Sequence, residues 1–343
     1  MKRAPCHGAR FLWPLSVNEL PMRDLNQAIA DLTPWLESLE SERKSAVAQC
    51  YKGLVLGLVV AAAFVLVCVA ASWPPPVMMI GGGVIFVLGL VWGNQPLNRL
   101  RKTVKTGLND RFAEAFGMRY RAEVQDPIRF NAFREHDLLP GYDRRSFEDH
   151  FSGEAHGADF DLYEAHLEQK RRTKKRTYYV TVFRGVLIRI NFPRTVEGVT
   201  LVTRDAGIFN ALEGWAKKTF GGQKLERIGL VDPTFEKAFE VYGTDQVMAR
   251  YLLTPSFMER LLKLERVLKG KNVRCVFDEK LGEGAGRGEL LIVAETGNKF
   301  EAGSMFKPLT DHGRIASLHG EFSMIDDIIN TVLEPPSEGG GEG

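Results

Sequence analysis

Residues 53–98 read GLVLGLVVAAAFVLVCVAASWPPPVMMIGGGVIFVLGLVWGNQPLN, 46 residues without one Asp, Glu, Lys or Arg. Trp73-Pro74-Pro75-Pro76 breaks the run near its middle. Residues 53–73 make a helix about 31 Å long at about 1.5 Å per residue, which matches the hydrocarbon thickness of a bilayer. Residues 77–93 are shorter, 17 residues, but almost wholly apolar, at the lower limit for a span. Two membrane spans are therefore expected. The alternative is two fully apolar helices buried in a soluble core.

The spans are joined only by residues 72–76, so they form a tight hairpin whose ends emerge on one side. Arg43, Lys44 and Lys52 precede it, Arg99, Arg101, Lys102 and Lys105 follow it, and the connection is uncharged. By the positive-inside bias both termini are cytoplasmic. Trp73 and Trp92 fall near span ends, where an indole keeps its ring in the interface. Gly57, Gly81, Gly82, Gly83 and Gly89 would let two helices approach closely, but ordinary membrane-helix composition is the preferred reading.

Of the 343 residues, about 200 remain for folded structure outside the hairpin. The net charge of +2 is close to neutral, so any attraction to nucleic acid or lipid must come from local clusters. Cys6, Cys50, Cys68 and Cys275 are scattered and form no C-x-x-C pair, as suits a reducing compartment.

Outward from the hairpin, Leu25, Ile29, Leu32, Leu36 and Leu39 follow the 4-and-3 spacing of a helical seam. Pro34 interrupts it and is expected to start a second helix capped by Thr33. Leu97, Leu100, Val104, Leu108, Phe112 and Phe116 make another helical stripe that ends near Gly117. These two stripes are expected to pack together as a cytoplasmic stalk, or to lie on the folded domain. From about Tyr120 the pattern turns to short strands: residues 159–165, then 177–183 and 186–192 as hairpin-linked antiparallel strands, then 200–203. A helical turn is expected at 130–135 and a short helix at 207–215. Thr244 is placed as cap of a helix beginning at Asp245. Thr254 with Pro255 starts another that stops at Gly270. Strands at 273–277 and 289–294 flank a glycine-rich turn, and 322–333 is a last amphipathic helix.

The run FEKAFEVYGTDQVMARYLLTPSFMERLL (235–262), preceded by FRGVLIRINFP (183–193) and a two-span hairpin, resembles a family of bacterial membrane proteins catalogued only as a domain of unknown function. The similarity extends over roughly residues 25–333, and FEVYGTDQVMARYLLTP (239–255) is its most specific part. It implies a bacterial inner-membrane hairpin carrying a cytoplasmic α+β domain, and no chemistry to carry over. The basic loop and the N-terminal extension lie outside the family's pattern.

Lys170, Arg171, Arg172, Lys174, Lys175 and Arg176 put six cations in seven residues, between two expected strands. A hairpin tip of that charge near a membrane suits anionic lipid headgroups, at about 1 kcal/mol per cation close to the surface. A plain solvated loop is the alternative. Nucleic acid is disfavoured because the loop carries no stacking aromatics; Tyr178 and Tyr179 lie outside it. Four of the seven histidines, His136, His150, His156 and His166, fall within 31 residues among Asp137, Asp143, Glu148, Asp149, Asp159 and Asp161. None has a recognised metal spacing, so no metal and no cofactor are assigned. Residues 282–288 (GEGAGRG) lack the helix a dinucleotide site needs and are a hairpin turn. In the most specific segment, Asp245, Arg250 and Tyr251 are candidates for a ligand or partner, set against a helix-terminus role for Asp245 and a surface role for Arg250.

The expected architecture is α+β: a disordered extension (1–21, with Met1 or Met22 as the start), amphipathic helices (22–50), the hairpin (51–95, spans 53–73 and 77–93), a juxtamembrane helix (96–125), a mainly antiparallel β-sheet domain with helices (126–333) and a disordered tail (334–343). The expected role is a binding or scaffolding module for a protein partner or the anionic membrane surface, with a homo-oligomer allowed. No catalytic residue is assigned. The competing class is an enzyme built from segment 136–166.

Overall fold

A computed structural model describes residues 24–174, 176–204, 219–220, 223–268, 271–281 and 287–333. Its most extended elements are two helices, α1 (Leu25–Ala70) and α2 (Pro75–Ala115), turned against each other through residues 71–74, with Ser72 in the left-handed region at φ 54°. Each holds a stretch long and apolar enough to cross a membrane. Leu66 (70% exposed), Met79 (78%) and Ile80 (68%) stand bare on that stretch. Apolar side chains burying one another in a soluble core would not be so open, so the hairpin's surface belongs in lipid and the chain associates with a membrane.

The two helices meet through glycine. A Cβ on Gly53 would stand 2.5 Å from the Gly93 Cα, and one on Gly89 would stand 2.6 Å from the Gly57 Cα. Gly53-x3-Gly57 thus faces Gly89-x3-Gly93, a small-x3-small contact that brings the backbones together. The compositional reading of these glycines is corrected for Gly57 and Gly89, while Gly83 meets nothing. Pro34 corrects a second expectation. Helix α1 runs straight through it instead of restarting there, and the Thr33 hydroxyl donates to the Ile29 carbonyl at 2.6 Å instead of capping. Leu32 and Leu36 on either side are fully buried, and that burial outweighs the roughly 3 kcal/mol an interior proline costs.

Beyond their apolar stretches both helices run into the folded domain. Its sheet comprises β1 (Arg119–Glu123), β2 (Arg144–Ala155), β3 (Ala158–Arg172), β4 (Thr177–Thr195), β5 (Val199–Arg204), β8 (Glu226–Arg227), β9 (Phe239–Gly243), β10 (Lys271–Asp278) and β11 (Arg287–Glu295). They lie in the order β1-β2-β3-β4-β11-β10-β5-β9-β8, every pair antiparallel. A two-residue pair, β6 (Thr219–Phe220) and β7 (Gln223–Lys224), stands apart. The shorter helices are α3 (Phe130–Glu135), α4 (Pro233–Ala238), α5 (Gln246–Leu252), α6 (Pro255–Leu268) and α7 (His312–Leu333), with a 3-10 turn at Glu279–Leu281. The α+β class, mainly antiparallel, is as expected.

Alternation along the central strands builds two cores. Val186, Ile188, Ile190 and Phe192 of β4, with Leu290, Ile292 and Ala294 of β11, face the helices, among them Leu100, Val104, Leu108 and Phe112 of α2. Leu187 of β4, with Leu291 and Val293, faces the other way, against Phe130, Phe133, Leu138 and Leu139. The stripe 97–116 is therefore part of the domain's core as well as of the α1–α2 pair. The stretch expected as a juxtamembrane helix to 125 ends in helix at Ala115 and passes into the edge strand β1.

Three further expectations are revised. Residues 177–183 and 186–192 are one strand, β4, because Gly185 continues the ladder instead of turning; a Cβ there would strike the Ala294 carbonyl oxygen. The helix expected at 322–333 begins at His312, where Arg314 donates to the carbonyls of Ala302, Ser304 and Pro308. Asp245, not Thr244, caps α5; the Thr244 hydroxyl accepts from Val199 N. The expected extension 1–21, helix 207–215, tail 334–343 and turn residues 282–286 lie outside the described residues.

Candidate functional site

The described domain offers three candidate surfaces: the β3–β4 tip, a cleft on the α3 side of the sheet, and the exposed face of α5. The tip is the far end of a ribbon. Register runs from Phe160↔Ile190 to Arg172↔Thr177, and beyond Glu168 the two strands pair with each other alone. Thr173 N donates to the Arg176 carbonyl at 2.9 Å and closes the turn. Lys170, Arg171, Arg172, Lys174 and Arg176 are all exposed; Lys175 lies outside the described residues. Arg176 stands 5.5 Å over the Tyr178 ring beside the turn, and Arg144 of β2 stands 3.4 Å over Tyr179, so each tyrosine steadies a cation on the ribbon.

The cleft, of about 1050 Å³, opens between the sheet and the loop around α3. Its floor is where the α3-facing positions change from apolar to charged: Tyr163 gives way to Asp161 on β3, Leu187 to Arg189 on β4, and Leu291 to Glu289 on β11. Glu289 is fully buried between two guanidinium groups. Arg189 donates to its Oε1 at 2.6 and 2.9 Å, and Arg129 donates to Oε2 at 2.9 Å and Oε1 at 3.1 Å. Arg129 holds the left-handed conformation, φ 56°, at the start of α3, and also donates to the Leu281 carbonyl at 2.7 Å. Asp161 is ion-paired with Arg189 at 3.5 Å and pairs with His150 Nε2 at 2.9 Å. The result is a continuous row, Arg129, Glu289, Arg189, Asp161, His150, across four strands. Its buried carboxylates are matched by charge, as burial demands.

A second polar cluster fastens α2 to the sheet. Lys105 Nζ lies 2.8 Å from Asp149, 2.9 Å from Glu301 and 3.2 Å from Glu148. Tyr120 donates to Asp149 at 2.7 Å, and Asn109 donates to the Phe300 carbonyl at 3.0 Å. Burial pushes the Glu164 carboxyl up to about 9, reinforced by the Asp149 charge, so it is protonated at neutral pH. Helix α1 is fastened in turn: Glu40 accepts from Arg43 and from Leu309 N, and Arg43 donates to the Met305 carbonyl at 3.2 Å.

The four histidines that lie close in the sequence do not converge in space. Buried His136 pairs with Asp278 at 2.8 Å; burial alone would raise that carboxyl, but the His136 hydrogen bond and the Lys280 N–H bring it below its usual range. His156 meets Asn330 and His166 meets Thr181, leaving only His150 of the four in the cleft lining. Among the described residues no three His, Cys, Asp or Glu side chains are grouped to hold a metal ion. Asp245 accepts from Val247 N at 2.6 Å and Met248 N at 2.9 Å, an ordinary helix cap. Arg250 and Tyr251 are exposed on α5 beside Val247, itself 77% exposed, with Arg194 5.9 Å over the Tyr251 ring. Of the cleft and the Lys105 cluster, the sequence-based candidates held only members of segment 136–166, among them His150, Asp161, Glu148 and Asp149; Arg189 and Glu289 were missed. Their signal was a charge inside an apolar strand, Arg189 in VLIRINF and Glu289 opening ELLIVA.

The strands from β4 onward and the terminal helix α7 coincide with a known family. Residues 181–333 match the family described as protein of unknown function (DUF3137). The DUF3137 region includes Arg189, Glu289 and the α5 face; the membrane helices, β1 to β3 and Arg129 precede it. No curated protein matches the chain. Among solved structures, the mycobacterial trehalose monomycolate transport factor A, TtfA, is similar at TM-score 0.30 and 11% identity, over 69% of this chain and 99% of that one. That likeness is too slight to carry function.

Proposed function

We propose that this chain is a bacterial inner-membrane protein, both termini cytoplasmic, whose DUF3137-containing domain is a binding module held at the anionic membrane surface by the β3–β4 ribbon. The observation that carries the reading is the register between the hairpin and the ribbon. Lys102 pairs with Glu123 and Asn109 with Tyr120, so β1 runs back toward the spans as α2 runs away from them. Glu123 pairs with Glu148, and Glu148 with Glu164, so β3 also runs toward the spans. From Glu164 to Arg172 is about 26 Å of strand. From Lys105, bound to Glu148, back to Gly93 is about 18 Å of helix. Even a tilted ribbon of that length supports a tip at headgroup depth. There each Lys or Arg contributes about 1 kcal/mol of attraction to an anionic leaflet.

Binding is favoured over an enzyme assembled from 136–166 by the dispersal of the histidines and by a cleft lining without Ser, Thr, Cys, Tyr or Lys among the described residues. A protein partner is a second reading, supported by the exposed Val247, Arg250 and Tyr251 face inside the DUF3137 region. The test uses the full chain in nanodiscs, with its cysteines replaced and a polarity-sensitive fluorophore on Lys174→Cys. Phosphatidylglycerol should blue-shift the probe relative to pure phosphatidylcholine, high salt should reverse the shift, and Gln at positions 170, 171, 172, 175 and 176 should abolish it. A probe indifferent to lipid charge would remove the ribbon from the account. The full chain is required because α2 supplies part of the domain's core.

A further inference from the structure

We propose that the cleft beside α3 binds a small ligand through a single anionic group, a phosphate or a carboxylate, held by Arg121 and Arg145. Within the row that forms the cleft floor, every carboxylate is already matched: Glu289 by Arg129 and Arg189, Asp161 by Arg189 and His150. At the rim, Glu123 is matched by Lys102 at 2.7 Å. Two guanidinium groups on the sheet side remain. Arg121 sits directly across from His150 in the β1–β2 register. Arg145 lies 5.2 Å over the Phe130 ring and 5.8 Å from that of Phe147, so its place is set by aromatic faces and not by an acid. Among the described residues neither has a carboxylate at ion-pair distance, and both line the cavity. Arginine's planar fork matches the paired oxygens of a phosphate or carboxylate.

The opposite wall limits what fits. Asp126 lines it and disfavours a polyanion, which favours a ligand with one anionic group. Val124, Ile128 and Phe130 offer an apolar patch for the rest of the molecule, the usual mixture in a ligand pocket. Glu123 at the rim is level with Lys102, nine residues past Gly93, or about 14 Å along the helix. A lipid headgroup phosphate and a free phosphate compound can both reach that depth. The inference does not depend on the ribbon's basic tip, since none of the tip's cations lines the cleft.

The experiment titrates the detergent-solubilised full chain with inorganic phosphate and, separately, with dihexanoyl phosphatidylglycerol, following binding by calorimetry. Saturable binding of either, weakened at least tenfold in the Arg121→Gln/Arg145→Gln variant, is the expected result. Phosphate alone sufficing points to a free phosphate ligand; binding confined to the short-chain lipid points to a headgroup. The Arg121→Lys/Arg145→Lys variant keeps the charge without the fork and should bind with intermediate strength. Both variants should melt like the parent, because both side chains are exposed. The proposal is overturned if neither probe saturates, or if binding survives loss of both arginines in a folded protein.

Discussion

Replacing Glu164 with Gln should stabilise this protein, and more so as the pH rises. The side chain is 5% exposed on β3, its Oε1 accepts from Lys299 N at 2.6 Å, and Asp149, Glu148 and Lys105 are the charges that act on it. Burial holds the carboxyl at about 9 in the fold, against an ordinary value of 4.5. Below 4.5 the folded and unfolded chains both carry the proton and the group is neutral to stability. Between 4.5 and 9 the unfolded chain releases its proton while the fold keeps it, so stability drains at about 1.4 kcal/mol per pH unit. At pH 7 the accumulated loss is about 3 kcal/mol, and at pH 5 it is under about 1 kcal/mol. Glutamine keeps the acceptor for Lys299 and cannot ionise, so it removes the loss. In thermal melts in nanodiscs, Glu164→Gln should raise Tm by roughly 6 to 12 °C at pH 7 and far less at pH 5. Equal gaps at pH 5 and 8, or no gain at either, would refute the assignment of a buried neutral carboxyl. Asp149 and Glu321, also raised by burial, tilt the parent's curve in the same direction, so only the difference between the two proteins isolates Glu164.

Three further outcomes are expected. In an Asn94→Cys variant, oxidation should link position 94 to native Cys50, whose Sγ lies 4.0 Å from the Asn94 side-chain oxygen, and adding Gly53→Leu should abolish the link by forcing the helices apart. A gel-shift assay of free thiols reads both, and an undiminished link in the double variant contradicts the glycine contact. Asp245→Ala should cost about 1 kcal/mol through loss of the cap while Asp245→Asn costs less, measured as denaturant midpoints; a large loss of partner binding with unchanged stability would instead give Asp245 a functional role. Phe306, 52% exposed and edge-on to Tyr51 at 6.4 Å, stands beside the start of the first span, so a spin label at Phe306→Cys should be more accessible to oxygen than to a water-soluble nickel reagent. The opposite ratio would lift the domain off the bilayer.

The charge-free run, its Pro-rich break and the flanking basic residues could be read without coordinates because solvation acts on composition. Forty-six residues without a charge have the same meaning wherever the neighbours lie. Strand alternation and the Thr254-Pro255 helix start were legible for the same local reason. Local signals failed where a distant partner reversed them. Pro34 should have broken a helix, and the burial of Leu32 and Leu36 carried α1 through it. Arg184-Gly185 had the look of a turn, and the close passage of β11 made it the middle of a nineteen-residue strand.

The candidate site divides along the same line. Six clustered cations advertise themselves because they are contiguous, although where their hairpin reaches depends on the register of three strands and one helix. The cleft is different in kind. Arg129, Arg189 and Glu289 are up to 160 positions apart, and their ion pairs exist only because β4 and β11 lie side by side with α3 over them. The sequence by itself determined that this protein associates with a membrane and carries a mainly antiparallel α+β domain, since hydrophobic length and alternation are properties of single segments. Only the tertiary structure decided that the membrane helices penetrate the domain's core, that Gly53 and Gly57 meet Gly89 and Gly93, and that a charged cleft lies beside α3. Each of these rests on contacts between segments, whose energies no single segment contains.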